Sequence, residues 1–360
     1  PPGGGERLAW RQPFAASLEA LAAQRGRRVV VLASGDPMWY GAGAVLARHF
    51  PPGEMVVLPH PGAFSLAAAR LGWALGECAC ITLHGRPLDT LRLHLAPGRR
   101  VLILSEDGAT PAAVARLLAA SGWGASRLVA LDHLGGAAEA AHAATAADWG
   151  DRQVAALNTL ALDCVAGRGA QTLSRLAGLP DTAFEHDGQL TKREVRAATL
   201  AALAPLPGES LWDIGAGCGS IAIEWLRSGE PMSAVAVERE PARVALIARN
   251  AAALGVPGLA IVAGSAPDAL AGLAAPDAIF AGGGLAEPAL LPALWQALRP
   301  GGRLVANVVS TEGERALLDW QARHGGALTR IAVSRAEPLG AHHGWRPLAA
   351  VTQLAARKPG

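Results

Sequence analysis

The sequence predicts an α/β protein with two domains, and three observations support that class. The chain has 360 residues, more than one small core needs. Apolar residues make up 51% and charged residues 17%, as in a well-packed globular protein. Short β-rich runs alternate with helical stretches, which favours mainly parallel sheets. We expect domains at residues 1–166 and 189–360, joined by a polar, turn-rich linker at 167–188.

The first half contains β-rich runs that predict strands. They lie at 28–33, 55–59, 100–104, 127–131 and 154–158. Helices are predicted at 63–75 and 111–120, the second with Thr110 as cap and Pro111 in the first helical position.

The second half begins with a predicted helix at 192–203 and then alternates regularly. Strands are expected at 210–214, 234–238, 260–263, 277–281 and 303–309, helices at 220–228, 242–254, 267–273 and 288–298, and closing strands at 328–334 and 348–354. This order predicts a Rossmann-like, doubly wound sheet.

A glycine-rich turn after the first of these strands is the clearest functional motif. It consists of Gly215, Ala216, Gly217, Cys218 and Gly219, between an apolar strand and an apolar helix. Glycines allow a tight turn, and they let a cofactor approach main-chain N–H groups at the helix start. The spacing is G-x-G-x-G and not the G-x-G-x-x-G of dinucleotide binders, which favours S-adenosylmethionine (SAM) over NAD.

Further positions along the second half fit the same cofactor. Glu238 ends the next strand, where a carboxylate accepts hydrogen bonds from ribose hydroxyls. Ser265 and Ala266 follow the third strand and would frame the adenine. Each feature alone also has a purely structural explanation, as a turn or a solvated strand end. Their shared order predicts a SAM site.

The run Leu190-Thr-Lys-Arg-Glu-Val-Arg196, followed by the glycine turn, resembles the decarboxylating precorrin methyltransferases of cobalamin synthesis over residues 178–355. The resemblance implies that Thr191 reaches bound SAM. It also implies that residues 215–219 form the cofactor loop, that Glu238 binds the ribose and that Ala266 contacts the adenine. Lys192, Arg193 and Arg196 are candidates for binding substrate carboxylates, because fixed cations suit a polycarboxylate. The alternative for these three is a helix start with solvated charges.

Gly35, Asp36 and Pro37 follow the first apolar run of the chain. Physically this is a tight turn with Asp36 as a possible helix cap. It is also similar to the Gly-Asp-Pro signature of the tetrapyrrole methylases, and the order of later segments matches that SAM-dependent family through residues 8–165. The family's opening strand and glycine-rich loop are missing before the matched residues. We therefore expect an incomplete N-terminal domain.

Both halves together resemble the bifunctional precorrin-6Y methyltransferase family. The resemblance implies methylation of carbons 5 and 15 of the ring and decarboxylation of the ring-C acetate, giving precorrin-8. Decarboxylation and carbon 15 would belong to the C-terminal domain. Carbon 5 would belong to the N-terminal domain, with activity impaired by its incomplete start. The family also implies a homo-oligomer, a tetramer, and the fused arrangement favours the cobalt-free route.

Decarboxylation would benefit from a general acid, and no metal is needed. Glu185, His186 and Asp187 are candidates because they lie beside the substrate motif, although an ordinary linker is the alternative. The sequence identifies no acid beyond these three.

The net charge and the cysteine content limit which partners and which compartment are expected. The net charge of +2, from 32 basic and 30 acidic residues, gives no footprint for nucleic acid. The sequence has no long uninterrupted apolar run, so no membrane partner is expected. The 4 scattered cysteines are expected to be reduced, in a cytoplasmic protein.

The alternatives to a precorrin methyltransferase are a SAM-dependent methyltransferase of RNA or another small molecule, and a non-enzymatic scaffold with a vestigial cofactor fold.

Overall fold

The computed structural model describes residues 7–11 and 13–360. They form two compact units. The first contains the described residues up to Arg86 together with Ala96–Ala170, and the second contains Pro87–Leu95 together with Gln171–Gly360.

The first unit is built on a five-stranded sheet. Its strands are β1 (Cys78–Thr82), β2 (Arg100–Leu104), β3 (Arg127–Asp132), β4 (Ala140–Thr145) and β5 (Asn158–Asp163), and its helices are α1 (Ala15–Ala22), α2 (Ala42–Leu46), α3 (Ala63–Leu71) and α4 (Thr110–Ala120). The order is β1-β2-β5-β3-β4. Only β1 and β2 pair in parallel, and the other pairs are antiparallel. The prediction of a mainly parallel sheet is therefore wrong for this unit.

Two strands predicted for the first unit do not form in the described part of the chain. Residues 28–33 and 55–59 lie outside every sheet formed by the described residues. Val30 is 69% exposed and Leu58 is 80% exposed. Valine-rich segments favour strands only where a neighbour takes up their backbone N–H groups, and these segments have none there. The predicted strand at 154–158 begins only at Asn158.

The second unit has a seven-stranded sheet and a separate hairpin. Its elements in chain order are α5 (Arg193–Leu203), β6 (Ser210–Ile214), α6 (Ser220–Ser228), β7 (Ser233–Glu238), α7 (Pro241–Ala253), β8 (Ala260–Ala263), β9 (Ala278–Ala281), α8 (Leu290–Ala297), β10 (Arg303–Val308), α9 (Thr311–His324), β11 (Ala327–Ile331), β12 (Ser334–Leu339), β13 (His342–Pro347) and β14 (Val351–Arg357). The sheet order is β11-β14-β10-β9-β6-β7-β8, with β14 antiparallel to both neighbours. The doubly wound prediction is confirmed for this unit.

Several local differences separate this sheet from the prediction. Helix α9 and the β12–β13 hairpin were not predicted. The predicted helix at 267–273 is only a short 3-10 turn at Asp268–Leu270. Residues 87–95 interrupt the first unit in sequence and contain a 3-10 helix at Leu88–His94. In this helix Leu91 is fully buried, and Leu93 packs against the core of the second unit.

The strand order of the second unit creates a crevice. The chain runs outward from β6 through β7 to β8 and then returns to β9 on the other side of β6. Ligands bind in such sheets beyond the carboxyl ends of the strands, at the point where the order reverses. Here the two loops at that point nearly touch, since a Cβ on Gly215 would lie 3.2 Å from the Gly283 backbone.

A search for helices that are long and apolar enough to cross a membrane found none among residues 7–11 and 13–360.

Candidate functional site

A cavity of about 620 Å³ lies at the carboxyl edge of the second unit's sheet. Loops after β6, β9 and β10 form its floor, and the segment before α5 forms one side. Its wall consists of Gly188, Gln189, Leu190, Thr191, Lys192, Val195, Gly215, Ala216, Gly217, Cys218, Ser220, Ile221, Arg243, Phe280, Gly282, Gly283, Gly284, Leu285, Ala286, Asn307, Val308, Val309, Ser310, Gly313, Val333, Leu348, Ala349 and Val351.

The glycine turn enters this wall in a conformation that favours glycine. Gly215, Gly217 and Gly219 have φ angles of 69°, 61° and 81°. The N–H groups of Gly215 and Ala216 both donate to the Val237 carbonyl, at 3.0 and 3.1 Å. Gly219 lies behind the wall, where a Cβ would come within 2.9 Å of Ile247. The turn is therefore fixed by β7 and leaves little room for side chains.

Glu238 anchors the same turn from the end of β7. Its Oε2 accepts the N–H of Gly217 at 2.8 Å, while Oε1 accepts the N–H groups of Arg239 and Glu240, each at 3.0 Å. The residue is buried, and it lies just behind the cavity wall. Oε2 keeps one lone pair free of these bonds, so the carboxylate can still accept a hydroxyl.

Ser265 and Ala266 lie outside the wall residues, at the end of β8. The N–H of Gly264 donates to the Glu238 carbonyl at 3.0 Å, which holds this loop beside the end of β7. Ala266 packs against the core on that side of the sheet.

Asp213 is the acidic residue buried beneath the turn. It is 1% exposed, and its Oδ2 accepts the N–H of Ala222 at 3.0 Å, in the first turn of α6. Its Oδ1 has no hydrogen-bond partner among the described residues. Burial raises the pKa of Asp213 to about 7, helped by the charge of Glu238 and opposed by the Ala222 hydrogen bond.

Thr191 and Lys192 lie in the wall, and both are half-buried. Lys192 is the N-cap residue of α5, and its carbonyl accepts the Arg196 N–H at 2.7 Å. Arg193 is exposed and lies outside the wall residues. The substrate motif thus places one of its three cations at the cavity.

Arg196 does not face the cavity, and the prediction that it binds substrate needs correction. Its side chain is fully buried. The guanidinium donates to Glu224 and Asp181 and to the carbonyls of Thr191 and Leu179. Since these groups occupy its donors, it has no exposed face for a substrate carboxylate. The buried cation instead fixes residues 179–191, including the backbone of Thr191.

Other charges complete the cluster around Arg196. Arg335 on β12 bonds both Asp181, at 2.9 Å, and Glu194, at 2.7 Å. Burial raises the pKa of Asp181, but the bonds and charges of Arg335 and Arg196 outweigh it and hold that pKa below its ordinary value. Asp181 therefore remains ionised and keeps its arginine partners.

The three candidate acids lie beside the cavity but outside its wall. Glu185 forms a two-pronged ion pair with Arg249, with both distances at 2.8 Å, and Asp187 pairs with Arg243 at 2.8 Å. The hydrogen bonds to these arginines lower the pKa of both carboxyls. The His186 ring accepts the N–H of Gly188 at 3.0 Å. Ionised, paired carboxylates are poor proton donors, so neither Glu185 nor Asp187 suits the role of general acid in this arrangement.

The charge of the cavity wall is positive. Lys192 and Arg243 are its charged members, and among the residues that the structure describes no Asp, Glu or His belongs to it. Arg243 is paired with Asp187 just outside the wall, so the unpaired positive charge of the described wall is that of Lys192. Three helices also begin at the wall: α5 next to Lys192, α6 at Ser220 and α9 next to Ser310. Helix N-termini carry partial positive charge and unsatisfied N–H groups. The cavity is therefore suited to an anionic ligand.

Asn307 is a wall residue that sequence reasoning missed. Thr199 donates its hydroxyl to the Val195 carbonyl at 2.8 Å, so its oxygen is free to accept from the Asn307 amide, also at 2.8 Å. Gln353 then donates to Asn307 Oδ1 at 2.9 Å. These bonds fix the orientation of the amide at the cavity floor. The one available signal was its position at the end of a buried strand.

The Gly-Asp-Pro segment of the first unit forms a tight turn. Gly35 has a φ of 64°, and Asp36 Oδ1 accepts the Met38 N–H at 2.8 Å. Two glycines that follow are tightly packed against Pro37, because a Cβ on Gly41 or Gly43 would lie within 2.6 or 2.7 Å of its carbonyl oxygen. The turn is thus compact and half-buried.

Family models match both halves of the chain. Residues 182–358 match a family described as "Precorrin methyltransferase domain". Residues 6–149 match "Tetrapyrrole (Corrin/Porphyrin) Methylases". With the doubly wound sheet and its glycine-lined crevice, these matches define the protein as a methyltransferase.

Individual relatives narrow this class. A precorrin-6Y C(5,15)-methyltransferase [decarboxylating] from a Sinorhizobium species is 52% identical over 97% of this chain and 84% of that protein. A cobalt-precorrin-6B C(15)-methyltransferase (decarboxylating) from Salmonella typhimurium is 34% identical over 47% of this chain and 89% of that protein. The crystal structure of the C-terminal domain of precorrin-6Y C5,15-methyltransferase from Rhodobacter capsulatus is 45% identical over 52% of this chain and 100% of that chain, with a TM-score of 0.49. The chain belongs to the family of the decarboxylating precorrin-6Y C(5,15)-methyltransferases.

Proposed function

We propose that this chain uses SAM to methylate carbons 5 and 15 of a precorrin and removes the ring-C acetate carboxylate as carbon dioxide, giving precorrin-8. The observation that carries the proposal is the cavity at the sheet's crevice. It combines a cofactor turn with a positively charged wall that has no acidic member among the described residues. A tetrapyrrole with many carboxylates has the complementary charge.

The absence of a side chain at position 215 supports SAM binding at the crevice. A Cβ there would lie 3.2 Å from the Gly283 backbone and would crowd the point where the two loops meet. In our proposal the holding residues are Thr191, Gly215, Ala216, Gly217, Cys218, Gly219, Glu238, Ser265 and Ala266. Glu238 accepts a hydrogen bond from one ribose hydroxyl through the remaining lone pair of Oε2. When bound, SAM supplies the methyl group.

The chain's own residues then position and enclose the precorrin. Lys192 and Arg243 bind carboxylates at the wall, and the N-termini of α5, α6 and α9 add donors for the others. Val309, Val333 and Leu348 supply apolar surface that excludes water from the ring. Methyl transfer depends chiefly on alignment, so a rigid floor formed by the Asn307 amide network favours it.

The division of labour follows the two units. We propose that residues 189–360 carry decarboxylation and methylation at carbon 15, and that residues 1–166 carry methylation at carbon 5 around Gly35, Asp36 and Pro37. Residues 167–188 join them. We also propose a homo-oligomer, a tetramer, which light scattering on the purified chain would measure.

Incubation of the purified chain with precorrin-6B and SAM, read by mass spectrometry, tests the proposal. We expect loss of the mass of carbon dioxide together with the gain of two methyl groups. A single methyl group gained together with decarboxylation would restrict activity to the C-terminal unit. An unchanged precorrin mass, with SAM still bound in a calorimetric titration, would contradict the proposed substrate.

A further inference from the structure

We propose that Lys192 is the proton donor of the decarboxylation, a role that rests on the proposed function. Loss of carbon dioxide leaves an electron pair on the substrate, and that pair must be quenched by a proton. The three candidate acids beside the motif lie outside the wall: Glu185 and Asp187 are ionised and held by arginines, and the His186 ring accepts the Gly188 N–H. The donor must instead be sought among the groups that reach the cavity.

Few wall residues can give up a proton. The guanidinium of Arg243 stays protonated under all ordinary conditions and is paired with Asp187. Cys218 belongs to the wall but is only 2% exposed, so its thiol is poorly accessible to a substrate. Asp213 lies beneath the turn, is 1% exposed and does not belong to the wall. Among the described wall residues, this leaves the Lys192 ammonium as the accessible acid.

The residue type supports a chemical role as well as a binding role. The chain has only two lysines, Lys192 and Lys358, and 30 of its 32 basic residues are arginine. Arginine binds a carboxylate better than lysine does, because its planar fork is bidentate. Lysine can release a proton to a substrate, which arginine cannot. A lysine in the wall is therefore better explained by proton transfer than by carboxylate binding alone.

The surroundings of Lys192 leave its ammonium available while fixing its backbone. The Arg196 guanidinium donates to the Thr191 carbonyl, and the backbone N–H of Arg196 donates to the Lys192 carbonyl. Within the described part of the chain, no carboxylate forms an ion pair with Lys192. In contrast, Lys358 Nζ is held by the carbonyls of Trp295, Gln296 and Leu298 at 2.6–3.0 Å.

The step balances without an additional reagent. The carbon–carbon bond between the acetate methylene and its carboxylate breaks, and carbon dioxide leaves. The electron pair passes into the conjugated ring and returns to the methylene carbon, which takes a proton from Lys192 Nζ and becomes a methyl group. The neutral amine regains its proton from water. Before transfer, the ammonium also stabilises the electron-rich intermediate.

Two substitutions separate charge from proton transfer. Lys192→Arg keeps a cation that cannot deliver a proton, and Lys192→Met removes both. We expect formation of the decarboxylated product from precorrin-6B, in which the acetate has become a methyl group, to fall about 100-fold or more in both variants. Precorrin binding, followed by absorbance titration, should be retained in Lys192→Arg and weakened in Lys192→Met. If Lys192→Arg forms the decarboxylated product at nearly the parent rate, Lys192 is only a binding residue and the inference is overturned.

A second measurement needs no turnover. Trace acetylation of the full-length protein, read peptide by peptide, reports the two lysines separately. We expect precorrin-6B to protect Lys192 from acetylation and to leave Lys358 unchanged. Equal labelling of Lys192 with and without bound precorrin would place its ammonium away from the ligand and overturn the inference. If the unmodified chain itself neither binds nor decarboxylates the precorrin, the proposed function fails, independently of Lys192.

Discussion

Gly217 donates its backbone N–H to the Glu238 carboxylate at 2.8 Å, so the glycine turn and β7 are joined at a single buried acid. The same carboxylate accepts two more N–H groups, from Arg239 and Glu240. Glu238 therefore organises the turn whether or not a ligand is present. The effect of a substitution at Glu238 on the free energy of unfolding can therefore be measured separately from its effect on SAM affinity.

Glu238→Gln should affect both properties. The amide group would face backbone donors that need an acceptor, at a cost of about 1–3 kcal/mol of unfolding free energy. We expect SAM affinity to fall by about tenfold, or about 1.4 kcal/mol. Denaturant melts and calorimetric titration measure the two effects. Glu240→Gln is the matched control, since that side chain is 56% exposed and should change neither.

Gly215→Ala should damage the crevice directly. Position 215 has a φ of 69°, and the new methyl group would lie 3.2 Å from Gly283. Strain of about 1–2 kcal/mol and loss of SAM binding are expected. Gly258→Ala supplies the comparison, because no atom lies within 4 Å of its Cβ position. Equal SAM affinity in the two variants would contradict a cofactor role for the turn.

Arg196→Met should destabilise the fold more than it weakens binding to a substrate. The change leaves Glu224 buried without its cation, which typically costs about 3–5 kcal/mol. The same substitution at Arg249, whose ion pair with Glu185 is exposed, should cost less than about 1 kcal/mol. Urea melts of both variants provide the test. A fully stable Arg196→Met protein with weak precorrin binding would restore the substrate role.

Asp213→Asn should change how stability depends on pH. The pKa of Asp213 is raised from 3.8 to about 7, so the folded state holds a proton that the unfolded state releases between those values. The contribution of this residue to stability therefore falls as pH rises through that window, by at most about 1.4 kcal/mol per pH unit. The asparagine variant lacks this effect. The difference in unfolding free energy between the asparagine variant and the parent should grow in favour of the variant from pH 3.8 to about pH 7 and then level off. A difference that is independent of pH would show that Asp213 does not titrate in that range.

The second unit was predictable because its signals are local. Buried runs such as Leu211–Ile214 are bounded by turn residues, and Gly215 marks where the strand must end. The segment at 28–33 is also apolar and contains three valines, yet a strand also requires a partner, which composition does not specify. Pairing is set by the whole sheet.

Arg196 illustrates the same limit at the site. Lys192 and Arg196 lie four residues apart in one motif, but one contacts the cavity and the other is buried against Glu224, 28 residues further along the chain. Only the packing of α5 on α6 distinguishes them. Asn307 was missed for the converse reason, since its neighbours Thr199 and Gln353 are distant in sequence.

The anchoring of residues 179–191 bears on how the C-terminal half can be separated from the chain. Leu179 and Phe184 are buried in its core, and the Arg196 guanidinium stacks over the Phe184 ring at 4.7 Å. A fragment beginning at 189 would strip this arginine of Asp181 and of the Leu179 carbonyl and would expose an apolar surface. A fragment beginning at 171 keeps both, and it loses residues 87–95, whose Leu93 packs against the same core. Limited proteolysis should therefore release a stable product cut near 171, while 179–187 resists cleavage despite its polar, turn-rich sequence.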